Sequence, residues 1–217
     1  MKVKWLGHAS FLIESDKGTK IITDPYKPGA FGLEYGQIAE PADVVTTSHD
    51  HDDHNNVSSI PGSPQIVKGA GSHQAGGIEF RGIASCHDEC GGKERGDNVI
   101  FAFTVDGINI CHLGDQGHTL IDSQVSDIGK VDVLLTPVGG AFTIDAAGAD
   151  KAIEQLKPKI VIPMHFQTDR CPNFPVATAE PFLKGKNNVK KVEGSTVELS
   201  KDGLPSVTEI IVLRPEL

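Results

Sequence analysis

Val44-Val45-Thr46-Thr47-Ser48-His49-Asp50-His51-Asp52-Asp53-His54 is an apolar, largely β-branched run that breaks into a polar turn. The last seven of these residues hold three histidines and three aspartates. β-Branched residues favour a strand, and a turn at its end can aim several short side chains at one point. Imidazole and carboxylate are ligands that zinc, manganese and iron(II) all accept. A histidine tract without metal chemistry is usually uninterrupted and terminal, which the alternation His-x-His-x-Asp-His is not. The stretch therefore predicts a metal site at a strand end.

The same pattern recurs along the chain. His87 follows the run 78–84, Asp115 follows 108–114, and His165 follows Ile160-Val161-Ile162-Pro163-Met164. A single histidine after a strand is most often structural. Four such strand ends suggest loops converging along one sheet edge, where open sheets place ligands.

With these residues in hand, the chain resembles the metallo-β-lactamase superfamily. The family pattern of an early strand-ending Asp, His-x-His-x-Asp-His, a lone His, a lone Asp and a last His reads here as Asp24, His49/His51/Asp53/His54, His87, Asp115 and His165. Thr23-Asp24-Pro25, His112-Leu113-Gly114-Asp115, Ile162-Pro163-Met164-His165 and the opening Trp5-Leu6-Gly7-His8-Ala9-Ser10-Phe11 resemble small metal-dependent hydrolases near the L-ascorbate-6-phosphate lactonase branch. The resemblance implies an α/β fold, a four-layer αββα sandwich in a single domain over residues 1–217. Periodicity alone gives only α/β.

The resemblance also implies two divalent metal ions, zinc first, with manganese or iron in its place. His49, His51 and His87 would hold one ion, Asp53, His54 and His165 the other, and Asp115 would bridge them. Hydroxide held between two such ions is a nucleophile near neutral pH, and the ions polarise the attacked carbonyl or phosphoryl oxygen. Asp53 is in addition the expected proton shuttle, hence the catalytic residue. Asp24 is expected to orient a ligand histidine from behind, with a turn residue before Pro25 as its plainer role. His8 either reaches the cleft or is an exposed turn histidine. His112 is either a support behind the ligands or a buried structural residue. Asp50 and Asp52 are expected to face away from the metals, His73 and His118 to be incidental, and the Gly139-Gly140 loop to offer amides to an anion.

A chain of 217 residues suffices for one core, and 38% hydrophobic with 23% charged residues describes an ordinary globule. No apolar run approaches the ~20 residues of a membrane span, and Met1-Lys2-Val3-Lys4-Trp5 looks like a strand rather than a leader. The expected compartment is cytoplasmic, with Cys86, Cys90, Cys111 and Cys171 as free thiols. A formal charge of −9 without a basic run excludes a nucleic-acid partner. A small-molecule substrate and no membrane association are expected, and an oligomer of identical chains is plausible from the resemblance.

Strands are expected at 2–6, 10–15 and 19–23, and a tight hairpin at Asp106-Gly107. Residues 131–135 and 159–162 read as buried strands, with a helix over 145–157 between them that Pro158 ends. A weaker helix over 176–185 and strands near 188–193, 195–200 and 206–213 complete the chain. Together these features indicate a metal-dependent hydrolase of a small anionic substrate: a lactone, ester, amide or phosphodiester. A di-iron oxidoreductase fed by a separate electron donor, or a metal-binding protein without catalysis, would use the same ligands.

Overall fold

The computed structural model describes residues 1–217. Strands β1 (Lys2–Gly7), β2 (Ser10–Glu14) and β3 (Lys20–Thr23) form an antiparallel meander. β4 (Val44–Thr47) and β5 (Gln65–Lys68) continue it in parallel beyond β3. A second sheet starts with β6 (Gly71–Ala75), β7 (Ile78–Cys86), β8 (Asp97–Val105) and β9 (Ile108–His112), all antiparallel. β10 (Val133–Pro137) and β11 (Ile160–Met164) then add in parallel.

The last three strands, β12 (Val189–Lys191), β13 (Thr196–Glu198) and β14 (Glu209–Val212), do not stay together. β13 pairs with β1 and edges the six-stranded first sheet, while β14 and β12 extend the eight-stranded second sheet beyond β11. The chain end thus ties the two sheets to each other.

Alternation along the first sheet explains its burial. Ile13, Ile21 and Val44 join a 44-residue core shared with the second sheet. Their neighbours Leu12, Ile22 and Val45 point the other way, into a 12-residue cluster with Tyr26, Tyr35 and Ile38. Successive strand residues face opposite sides, so both faces of this sheet are covered. The fold is the expected α/β sandwich, with its layers unequally built. The helices α1 (Asp122–Ile128), α2 (Ala146–Leu156) and α3 (Glu180–Leu183) pack on β7, on β10 and on α2 respectively. The outer face of the first sheet is covered by loops and short 3₁₀ turns instead.

Several expectations hold closely. The Asp106-Gly107 hairpin has φ of 49° and 76°, the two left-handed residues that a type I′ turn requires. α2 begins at its cap Asp145, whose carboxylate accepts the Gly148 N–H at 2.9 Å, and ends just before Pro158. The helix over 176–185 shrinks to Glu180–Leu183. Its first residues are drawn into loop pairing instead: Ala177 donates to the Gly139 carbonyl and accepts from the Gln167 N–H. Helix α1 and strands β5 and β6 lie where periodicity gave no signal. No helix is long and apolar enough to cross a membrane.

Candidate metal centre

β1, β3 and β4 run in one direction in the first sheet, and β7, β9 and β11 in one direction in the second. Each is followed, at its C-terminal end, by a candidate site residue: His8, Asp24, the His49–His54 turn, His87, Asp115 and His165. In-register pairs such as Thr23↔Thr46 and Pro137↔Met164 bring neighbouring ends level. His8, Asp24 and His165 turn sharply out of their strands with φ of 52°, 38° and 51°. Non-glycine residues seldom adopt such angles, and they concentrate where function fixes the backbone.

The side chains meet at Asp115. Its Oδ2 lies 3.1 Å from His87 Nε2, 3.2 Å from His54 Nε2, 3.4 Å from His165 Nε2 and 4.0 Å from His49 Nε2. Two groups of ligand atoms flank it. One is His49, His51 and His87; the other is His8, Asp53, His54 and His165, each group within 4.8 Å. A further group joins Asp24 to His49 and His54. Every residue of the family pattern is therefore in one place, and Gly117 makes the approach possible. A Cβ there would sit 2.2 Å from the Asp88 backbone nitrogen.

Hydrogen bonds behind the cluster set which nitrogen faces inward. Asp24, fully buried, accepts the Ser48 N–H at 2.8 Å and the Ser48 hydroxyl at 2.5 Å. It also accepts His54 Nδ1–H at 2.9 Å, which leaves His54 Nε2 directed at Asp115 and Asp53. Because the Ser48 hydroxyl proton goes to Asp24, its oxygen is free to accept His49 Nδ1–H at 2.9 Å. His49 Nε2 is thereby left as a lone pair, 3.0 Å from His51 Nδ1. A proton or a shared metal ion satisfies that spacing. Sequence reasoning overlooked Ser48, although its place between the strand and the first histidine was a signal.

His8 reaches the site rather than facing solvent: its Nε2 is 3.2 Å from Asp53 Oδ2 and its ring 4.2 Å from that of His165. His112 stays behind, donating to or accepting from backbone only, at Ala9 O and Gly114 N. Asp50 and Asp52 point outward to Lys68 and Lys27. The Gly140 and Phe142 amides of the glycine loop are spent on internal carbonyls, so that loop offers an anion less than expected. His73 bonds the Gly69 carbonyl, and His118 belongs to a Ser85–Gln116 network.

Electrostatics in the metal-free protein follow from burial and crowding. Burial first, then the nearby His165, lowers His8 to about 4. Burial, then His54, lowers His49 to about 3. Asp115 is buried as well, which by itself favours the neutral acid, yet His165 and His54 hold it well below the usual carboxylate range. His54 is raised well above its ordinary value: burial opposes the proton, but Asp115 and Asp53 outweigh it. One proton among crowded carboxylates thus occupies a place suited to a dication. Asp53 Oδ1 and Asp115 Oδ1 are buried without any hydrogen-bond partner. Orphaned acceptors of this kind are rare unless a cation satisfies them, so these residues fit a metal.

Comparison with known proteins agrees with this geometry. Residues 2–165 match the family model described as the beta-lactamase superfamily domain. A UPF0173 metal-dependent hydrolase of Nanoarchaeum equitans is 33% identical, over 93% of this chain and 98% of its own. The crystal structure of a Thermotoga maritima protein, proposed to be a Zn-dependent hydrolase of the metallo-β-lactamase superfamily, superposes with a TM-score of 0.80. It is 34% identical and covers 98% of this chain and 97% of its own. CmlA of Streptomyces venezuelae, a diiron β-hydroxylase, shares the fold at a TM-score of 0.55, with 14% identity over 82% of this chain and 47% of its own. Sheets, converging strand ends and sequence together make the chain a member of the metallo-β-lactamase superfamily and, within it, a metal-dependent hydrolase.

Proposed function

We propose that this hydrolase works with two divalent metal ions, zinc first, on a small anionic lactone, ester, amide or phosphodiester. The observation that carries the reading is the convergence on Asp115: two groups of ligand atoms flank one carboxylate whose second oxygen is buried and unpartnered. His49, His51 and His87 would hold one ion, Asp53, His54 and His165 the other, with Asp115 between them. When bound, the ions supply Lewis acidity and an activated water.

The chain's own residues do the rest. Asp24 fixes the His54 tautomer, and Ser48 passes the same constraint to His49. Phe142, Phe174 and Pro175 form an apolar wall along the cleft. Asp53 lines the cleft with Oδ1 unpartnered, placed to hand a proton to a leaving group, while His8 holds its other oxygen. Asp53→Asn should therefore lower turnover far more than it lowers occupancy of the His49/His51/His87 site; equal losses would count against a shuttle.

Within this class we favour a lactonase near the L-ascorbate-6-phosphate branch, supported by the local contexts of Asp115 and His165. A cytoplasmic setting belongs to the same reading, and four free cysteines suit it. The decisive experiment is elemental analysis of protein purified without added metal, followed by a screen of lactones, esters and phosphodiesters. About two zinc or manganese ions per chain and turnover of one class are expected; a metal content well below one per chain would overturn the reading. About two irons would favour the second reading, a di-iron oxidoreductase, which the fold shared with the diiron CmlA supports.

A further inference from the structure

The cleft above the candidate ligands encloses about 400 Å³, and a single permanent cation, Arg95, lines it. Arg95 comes from the loop between His87 and β8, and nothing in its sequence context marks it. Its side chain makes no hydrogen bond within the protein. The closest carboxylate is that of its neighbour Glu94, 3.7 Å from Nη1 and largely exposed. The guanidinium instead lies over the Phe142 ring, with Cζ 5.7 Å from the centroid. A guanidinium held over an aromatic ring by cation–π attraction still has N–H donors to offer a planar or tetrahedral oxyanion.

The loop is built to hold that position. Asp88 accepts the backbone N–H groups of Cys90 and Gly92 at 2.8 Å and of Glu94 and Arg95 at 2.9 Å. These bonds hold the Asp88 carboxyl below its ordinary range and fix the loop against the His87 strand end. A donor on a fixed backbone loses less freedom when it binds. On its far side Arg95 borders a second cleft of about 370 Å³ containing Lys68. Lys68 is already hydrogen-bonded to Asp50 at 2.5 Å, so between the two clefts Arg95 is the cation with no carboxylate within hydrogen-bond distance.

We propose that Arg95 is a substrate-binding residue that takes a carboxylate or phosphate oxyanion set apart from the scissile bond. The apolar body of the substrate lies against Phe31 and Phe174, on the wall that Phe142 completes. The substrate class is then an ester, lactone or phosphodiester with an anionic group at one end and an apolar or planar surface at the other. The inference rests on the hydrolase reading above, but its test reads binding and not turnover.

Phenylphosphonate and benzoate combine an oxyanion with a flat apolar ring, and neither has a bond this chemistry cleaves. Each is titrated calorimetrically into metal-loaded wild-type protein, Arg95→Met and Arg95→Lys, with benzyl alcohol as the neutral control. The wild type should bind one of the anions at least tenfold tighter than Arg95→Met, with Arg95→Lys between them and benzyl alcohol unchanged. A preference for the phosphonate would point to a phosphorylated substrate and a preference for benzoate to a carboxylate; either supports the assignment. Metal content and Tm are measured on the same samples; should Arg95→Met alter either, the comparison with Arg95→Lys decides. Absence of anion binding by the wild type, or equal affinity in all three proteins, overturns the proposal. Failure of the wild type to hydrolyse any substrate class would instead sink the hydrolase reading and leave the calorimetric comparison intact.

Discussion

Asp24 shows how much a buried carboxylate can organise without facing the cleft. Its three hydrogen bonds orient His54 directly and His49 through Ser48. Asp24→Ala removes both constraints, and divalent-metal affinity should drop about 10–100-fold, measured by competition with a chromogenic chelator. An unchanged affinity would show that packing alone orients the imidazoles. The buried histidines also set an acid limit for the metal-free protein. His8 and His49, lowered to about 4 and about 3, stay neutral in the fold while the unfolded chain takes up protons below about 6.5. Stability is therefore lost as pH falls from about 6.5 toward 4, on the order of 3 kcal/mol from His8 alone. His54 acts oppositely: its raised folded value contributes stability below about 6.5 that disappears as pH rises through that value. Because His54 is saturated below 6.5, it does not offset the acid loss. Thermal unfolding of chelated protein should give a lower Tm at pH 5 than at pH 7; a flat profile would contradict neutral burial of His8 and His49.

At the scale of elements, the site is a set of strand ends, and its sequence signature is an apolar run followed by one ligand residue. That signature makes His49–His54, His87, Asp115 and His165 legible in the chain itself, because period and punctuation are local properties. Helix α2 is legible for the same reason, with an apolar face and Pro158 at its end; its cap Asp145 is seen only in the structure. Its end is strained, since Lys157 takes φ 48° at the C-cap. Lys157→Gly should raise stability by about 0.5–1 kcal/mol, whereas Asp145→Ala, which removes the N-cap, should lower it by about 1 kcal/mol; denaturant unfolding reads both. What local pattern could not show is which sheet a strand joins. β12 and β13 are separated by four residues yet edge different sheets, and residues 176–179 give up a helix to bond neighbouring loops.

The whole molecule closes two sheets over one shared core and sets the ligand loops along one rim. Asp53 and Asp115, both nearly buried, are held together there with a single raised histidine as their compensation. Metal binding should expel that proton and stabilise the fold. At a free-ion concentration of 100 Kd the gain is about 2.7 kcal/mol, or roughly 5–10 °C in Tm for a chain of this size. Chelation that leaves Tm unchanged would mean that the carboxylates do not depend on metal. Amino-acid sequence by itself determined the family, the α/β class and the identity of the candidate ligands, because residue type and spacing along the chain carry that chemistry. Only the tertiary structure decided that His8 lies against Asp53, that Ser48 links Asp24 to His49, and that Arg95 lines the cleft beside the apolar wall. Those contacts join residues far apart in the chain or turn on which way a side chain points, and both follow from how the two sheets pack rather than from any local pattern.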